Sequence, residues 1–219
     1  MHTIYKFVSG PMVWVAFGIF ICGGLYRIFT LLTLARQKES FIFSYMSLKY
    51  SLRSLLHWSL PFGATNMRKN PVMTMVTFTF HFCVLITPLF LLAHVLLIEE
   101  SWGISWWTLP GWLSDLMTLG VLAGCLYFLC RRLFLAQVKF VTSASDYWLL
   151  VIVAAPFVTG FLAYHQWFAY PAIMILHVVC GEIMLIAIPF TRLSHMLFAP
   201  FTRAYLGSEF GGVRQAKDW

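Results

Sequence analysis

The sequence predicts an all-α integral membrane protein, a bundle of five transmembrane helices, and three observations predict it. The 219-residue chain is 60% hydrophobic and only 11% charged, whereas soluble domains run about half apolar and about a quarter charged. Its apolar residues gather into five stretches close to the roughly 20 residues that a helix needs to cross about 30 Å of hydrocarbon. Its basic residues fall between those stretches, on alternate sides. One domain over residues 1–219 is expected at this length. The net charge of +7 therefore reports orientation in a bilayer, not affinity for nucleic acid.

The first span is expected from about Pro11 to Leu34, with Arg27 near its end. The opening MHTIYKFVSGPMVW has no basic n-region and no clear small-residue cleavage site, so it reads as a retained helix. Residues 40–60 are not a sixth span, because Lys49 and Arg53 interrupt them at i, i+4. Apolar residues recur there with helical period, which suggests an amphipathic helix lying on the cytoplasmic surface or a docking face for a cytoplasmic partner. The second span is expected from about Pro71 to Ile98, with Pro71 suited to the first helical position. The third runs from about Trp112 to Leu129, closed by Arg131 and Arg132. The fourth runs from about Tyr147 to Tyr164, with Asp146 or Ser145 as its cap. The fifth runs from about Tyr170 to Met196. The tail GSEFGGVRQAKDW reads as solvent-exposed and loose.

Orientation follows from the loops. Those after spans one, three and five carry Lys and Arg, while residues 99–111 and 165–169 carry neither. The positive-inside rule then places the N-terminus outside and the C-terminus in the cytoplasm. Trp102, Trp106, Trp107 and Trp112 cluster in the outer loop, where an aromatic belt is expected.

The five cysteines, Cys22, Cys83, Cys125, Cys130 and Cys180, all lie in apolar stretches and form no C-x-x-C pair. That argues against a covalently attached haem, a disulfide framework or a thiolate-held cluster.

Chemistry is expected from four of the seven histidines. His81 and His94 fall in span two, His177 and His195 in span five. Ionisable groups inside a membrane are costly and mark function. Two opposed imidazoles per iron would let these two helices hold two b-type haems, one above the other. Span two runs outward and span five inward, so depth pairs His94 with His177 near the outer face and His81 with His195 near the cytoplasm. His177 and His195, 18 apart, would share one face of an ideal helix after five turns. His81 and His94, 13 apart, would lie about 140° out of register. A break at Pro88 is expected to relieve that mismatch. The pairs are too far apart along the chain for one tetrahedral zinc site. The rival reading makes the chain a haem-free membrane anchor or small transporter, with the histidines as packing or proton-relay groups.

Other groups are secondary candidates. His165, Asp115 and Glu182 are candidates for contact with a quinone or for proton relay. Arg27, Arg131, Arg132 and Arg192 cluster at the cytoplasmic ends, as topology anchors or as partners of haem propionates.

Five spans, an outer N-terminus and two histidines on each of spans two and five resemble the gamma subunit of respiratory nitrate reductase. The stretch FTFHFCVLITPLFLLAHVLLIEE, the preceding LPFG and RKNP, and the opening SGPMVWVAF are more similar to the cytochrome b subunits of the Tmc and Hmc transmembrane redox complexes of sulfate-reducing bacteria, with the Dsr complex a further relative. The resemblance covers essentially the whole chain. It implies a di-haem membrane subunit of an oxidoreductase complex, with His81, His94, His177 and His195 as iron ligands. It also implies a cytoplasmic iron–sulfur subunit, a periplasmic multihaem cytochrome c and use of menaquinol. The 13-residue spacing is wider than in the nitrate reductase subunit, and no lysine lies near the outer haem. Electrons arriving from a periplasmic cytochrome are the expectation that follows.

Overall fold

The computed structural model describes residues 2–219, and these are helical almost throughout. Five helices are long and apolar enough to cross a membrane, which makes the chain a multi-pass helical membrane protein. They are α1 (His2–Lys38), α5 (Pro71–Phe90), α7 (Gly111–Phe134), α9 (Ala144–Tyr164) and α10 (Tyr170–Phe190). Between and after them lie α2 (Ile42–Tyr45), α3 (Leu48–Ser59), α4 (Thr65–Lys69), α6 (Leu92–Trp102), α8 (Ala136–Phe140) and α11 (His195–Ser208). The surfaces of the long helices are apolar: Phe29, Leu25 and Leu126 are among many large side chains left exposed, as lipid-facing residues must be.

Local chemistry sets the boundaries. Pro71 opens α5, as expected. Pro11 does not open α1; it sits inside a π-helical turn, Val8–Met12, and helix continues on both sides. The cap of α9 is Ser143, not the expected Asp146 or Ser145. Asp146 is instead its capping-box partner, accepting the Ser143 backbone N–H at 2.8 Å.

Two expected spans are shorter than the sequence suggested, and each ends at a break. The second stops at Phe90, because Leu91 is extended (φ −71, ψ 127), and α6 begins at Leu92. The proline-linked break therefore falls three residues past Pro88. The fifth stops at Phe190 instead of reaching Met196. Pro189 lacks the N–H that the Leu185 carbonyl would take, and Thr191 is extended (φ −125, ψ −173). The Thr191 hydroxyl donates back to Ala187 O at 2.7 Å and accepts from Leu193 N–H at 3.2 Å, which caps a 3₁₀ turn over Arg192–Ser194.

The chain forms two compact units. The first joins residues 2–6 to Met75–Gly181. In it α7 packs on α9, and α5 meets α7 at small residues. A Cβ on Gly124 would stand 2.9 Å from Phe80 and one on Gly120 3.4 Å from the Cys83 sulfur. Small residues let membrane helices approach closely. Val121 in that contact is fully buried.

The second unit joins Phe7–Thr74 to Glu182–Trp219. Gly23 of α1 backs onto Pro189 and Phe190 at the end of α10. The segment read as an amphipathic surface helix is α3, and it packs along α11. Its contact face is made of small polar residues: Ser51 Oγ lies 3.0 Å from Ser208 Oγ and donates to Ala204 O at 3.1 Å. Leu48, Leu52 and Leu56 stay exposed on α3. The C-terminal tail is not loose. Its Asp218 pairs with Ser54 and Arg203, Trp58 Nε1–H donates to the Asp218 carbonyl at 3.3 Å, and Trp219 stacks on His57 at 3.9 Å. A polar composition suggested solvent, but the two terminal residues find specific partners on α3 and α11.

Candidate functional site

The first unit brings His94 and His177 together. Their ring centroids are 6.0 Å apart and their planes lie within 13° of parallel. His94 is carried by the first turn of α6, just past the break, and His177 by the second turn of α10.

Each ring is oriented by the backbone. His94 Nδ1 lies 2.8 Å from the Pro88 carbonyl. His177 Nδ1 lies 3.0 Å from the Pro156 carbonyl, with the Thr159 hydroxyl at 3.4 Å. A carbonyl can only accept, so Nδ1 carries the proton in both rings and the lone pair resides on Nε2. This is the tautomer that a metal-ligating histidine adopts when a carbonyl holds its other nitrogen. α9 makes room for His177 at Gly160, where a Cβ would stand 2.8 Å from the ring Cε1 and 3.1 Å from Nδ1.

His81, on α5, has the same arrangement: its Nδ1 donates to Thr77 O at 2.8 Å, one turn back. His195 donates from Nδ1 to Arg192 O at 2.9 Å. It does not lie on the fifth span. It is the first residue of α11, beyond the break and the 3₁₀ turn, so the five-turn argument that aligned it with His177 does not apply. His81 belongs to the first unit and His195 to the second.

The secondary candidates separate. Asp115 and His165 form a pair, with Nε2 3.2 Å from Oδ1 and both side chains about 30% exposed. Phe161, Tyr164 and Trp167 surround the His165 ring at centroid distances of 4.5, 5.2 and 5.6 Å. Glu182 is 3% exposed, and neither carboxyl oxygen has a hydrogen-bond partner. Arg27 lies over the Phe198 ring at 5.6 Å and Arg131 over Tyr127 at 5.9 Å. Arg132 donates to Phe128 O at 3.1 Å, closing α7, and Arg192 sits exposed in the 3₁₀ turn.

Pro156 and Gly160, which seat His177, had no sequence signal strong enough to single them out, and Trp106, read only as part of an aromatic belt, donates its Nε1–H to Leu89 O at 2.8 Å. The i, i+4 spacing of Pro156 and Gly160 in one apolar helix was the available clue, since it marks a close approach.

Among the described residues, no group of three or more His, Cys, Asp or Glu side chains could hold a metal ion, and all five cysteines are free thiols. A closed three- or four-ligand site is therefore not what these side chains build; what they bring together is the near-parallel pair of imidazoles, His94 and His177. The 6.0 Å between the ring centroids is compatible in length with two imidazoles on one metal ion, at metal–nitrogen bonds of about 2 Å.

No family model matches the chain. It is 33% identical over 211 residues to a protein of the sulfate-reducing bacterium Nitratidesulfovibrio vulgaris (strain Hildenborough), an alignment covering 94% of this chain and 93% of that one. The chain belongs to the same family as this Nitratidesulfovibrio vulgaris protein.

Proposed function

We propose that the chain is a di-haem b membrane subunit of a respiratory oxidoreductase complex. The observation that carries the reading is the parallel His94–His177 pair, with each Nδ1 proton tied to a backbone carbonyl. Such a pair leaves both Nε2 lone pairs available, on two neighbouring rings, to bind one iron. His81 and His195, held in the same tautomer, are the ligands proposed for the second haem. Bound haem would supply one-electron chemistry. What the chain supplies is orientation: helix breaks and carbonyl acceptors fix the imidazoles, and apolar helices exclude water from them. Arg27, Arg131, Arg132 and Arg192 are the cations proposed to neutralise propionates.

In this reading the N-terminus is outside and the C-terminus cytoplasmic in a bacterial inner membrane. Electrons pass between a periplasmic multihaem cytochrome c or menaquinol and a cytoplasmic iron–sulfur subunit. The relative's occurrence in a sulfate reducer supports that setting. A second reading adds quinol oxidation within this chain, and the Asp115–His165 pair favours it. A carboxylate behind an imidazole, ringed by aromatics and part-exposed, is suited to accept a proton from a hydroxyl. Glu182, a buried acid without a partner, is a candidate to carry it further.

The test is a dithionite-reduced minus oxidised spectrum with pyridine haemochrome quantitation of the purified protein. About two non-covalent haems per chain is the expected result. A freshly isolated protein with no Soret absorbance would make the chain an anchor or transporter instead.

A further inference from the structure

We infer that Trp106 is a positioning residue for His94: with the Leu109 backbone N–H, it holds the helix open at Leu91. The consequence for haem rests on the function proposed above, while the cause rests on hydrogen-bond geometry alone. In an unbroken helix the carbonyls of Pro88, Leu89 and Phe90 would accept from the N–H groups of Leu92, Ala93 and His94. The extended Leu91 separates all three pairs. Yet none of the three carbonyls lacks a donor. Pro88 O accepts from His94 Nδ1–H at 2.8 Å, Leu89 O from Trp106 Nε1–H at 2.8 Å, and Phe90 O from Leu109 N–H at 2.8 Å.

Pro88 alone does not explain this. A proline frees the carbonyl four residues before it, here that of Val84, whereas the orphaned carbonyls are at 88, 89 and 90. The break therefore depends on donors from elsewhere, and two of the three come from one loop, residues 103–110. That loop is further fixed by Trp107, which stacks on Phe90 at 4.4 Å and 27°. Gly103 lets the loop turn back, closing α6 with φ 68, where only glycine is unstrained.

The segment thus has two self-consistent hydrogen-bond arrangements. In one the helix is broken and the Pro88 carbonyl is available to the His94 ring. In the other the helix is continuous, Leu92 N–H takes that carbonyl, and His94 loses the acceptor that sets its tautomer. Continuity would also restore the rotation of about 140° between positions 13 apart. Trp106 and Leu109 favour the first arrangement by satisfying the two carbonyls that a continuous helix would otherwise reclaim. Trp106 acts through Leu89 and His94, not by contact with iron.

The experiment compares full-length Trp106→Phe, which keeps the ring and removes the N–H, with Leu109→Pro, which removes the other donor. Trp107→Phe, which preserves the stacked ring, is the reference. Haem per chain and the optical spectrum are read first. Trp106→Phe and Leu109→Pro should each keep one of two haems, the one retained in His94→Ala, while Trp107→Phe keeps both. Two haems with unchanged spectra in Trp106→Phe and Leu109→Pro would overturn the inference and leave the haem reading standing. If the parent protein binds no haem, that reading fails, and histidine ¹⁵N spectra decide the inference. Loss of the Nδ1–H form at His94 in Trp106→Phe upholds it, and an unchanged signal overturns it.

Discussion

Replacing Gly160 by alanine puts a methyl group against the His177 ring. The added Cβ would meet Cε1 at 2.8 Å and Nδ1 at 3.1 Å, whereas ordinary contact begins near 3.4 Å. The ring must retreat by more than half an ångström, and its tether to Pro156 O is only 3.0 Å long. Overpacking of this kind costs about 1–3 kcal/mol, which corresponds to roughly five- to 150-fold in affinity for a ligand held by that ring. The same change stabilises a helix by up to about 1 kcal/mol through propensity, so a reference is needed. Gly181→Ala provides it, on the helix that carries His177, with nothing within 4 Å of the added atom. The assay is haem titration of the apoprotein, with thermal unfolding measured on the same samples. Gly160→Ala should lose affinity at one of two sites while Gly181→Ala matches the parent. Equal haem binding in the two variants would refute the claim that Gly160 seats an iron ligand.

Three further outcomes follow from other contacts. Gly207→Ala places its Cβ 2.6 Å from the Tyr50 carbonyl, a rigid backbone atom, so it should destabilise the α3–α11 pair by about 1–3 kcal/mol and expose the tail to limited proteolysis. Asp115→Asn should leave stability within about 1 kcal/mol of the parent, because the His165 pair is part-exposed; on the quinol reading it slows haem reduction by a menaquinol analogue by roughly a hundredfold or more. The Arg214 guanidinium, and then the Tyr205 hydroxyl, hold the Glu209 carboxyl below its usual range. Its stabilisation of the turn over Glu209–Val213 is therefore full above the unfolded carboxylate range and lost as pH falls through the lowered value. Amide exchange in that turn should accelerate on acidification, and Glu209→Gln should abolish the pH dependence.

The long helices were legible because lipid makes hydrophobic length a strong signal: spans three and four differ from the structure only at their ends. What the sequence obscured was where apolar helices stop. Pro88 signalled a break in span two and span five was read as continuous to Met196, yet both helices run past a proline, Pro88 or Pro189, and break at Leu91 and Thr191. The choice of residue depends on donors that arrive from outside the helix, Trp106 and Leu109 in one case, and on the Thr191 hydroxyl in the other. Neither periodicity nor composition encodes such a meeting. The structure brings the His94 and His177 rings together, although His94 lies past the break on α6 and not on the second span, where the sequence reading had put it. The alignment of His177 with His195 was not legible, because an ideal helix was extended through a break. The tail was misread for a similar reason: Asp218 and Trp219 are held by particular partners on α3 and α11, not by a hydrophobic pattern of their own.

The most direct measurement of the central claim is haem content and redox spectrum in His94→Ala and His177→Ala, singly and together. If the two imidazoles share one iron, each single variant and the double variant lose the same haem and keep the same remaining spectrum. Loss of different haems in the two single variants, or retention of both haems in either, would contradict it.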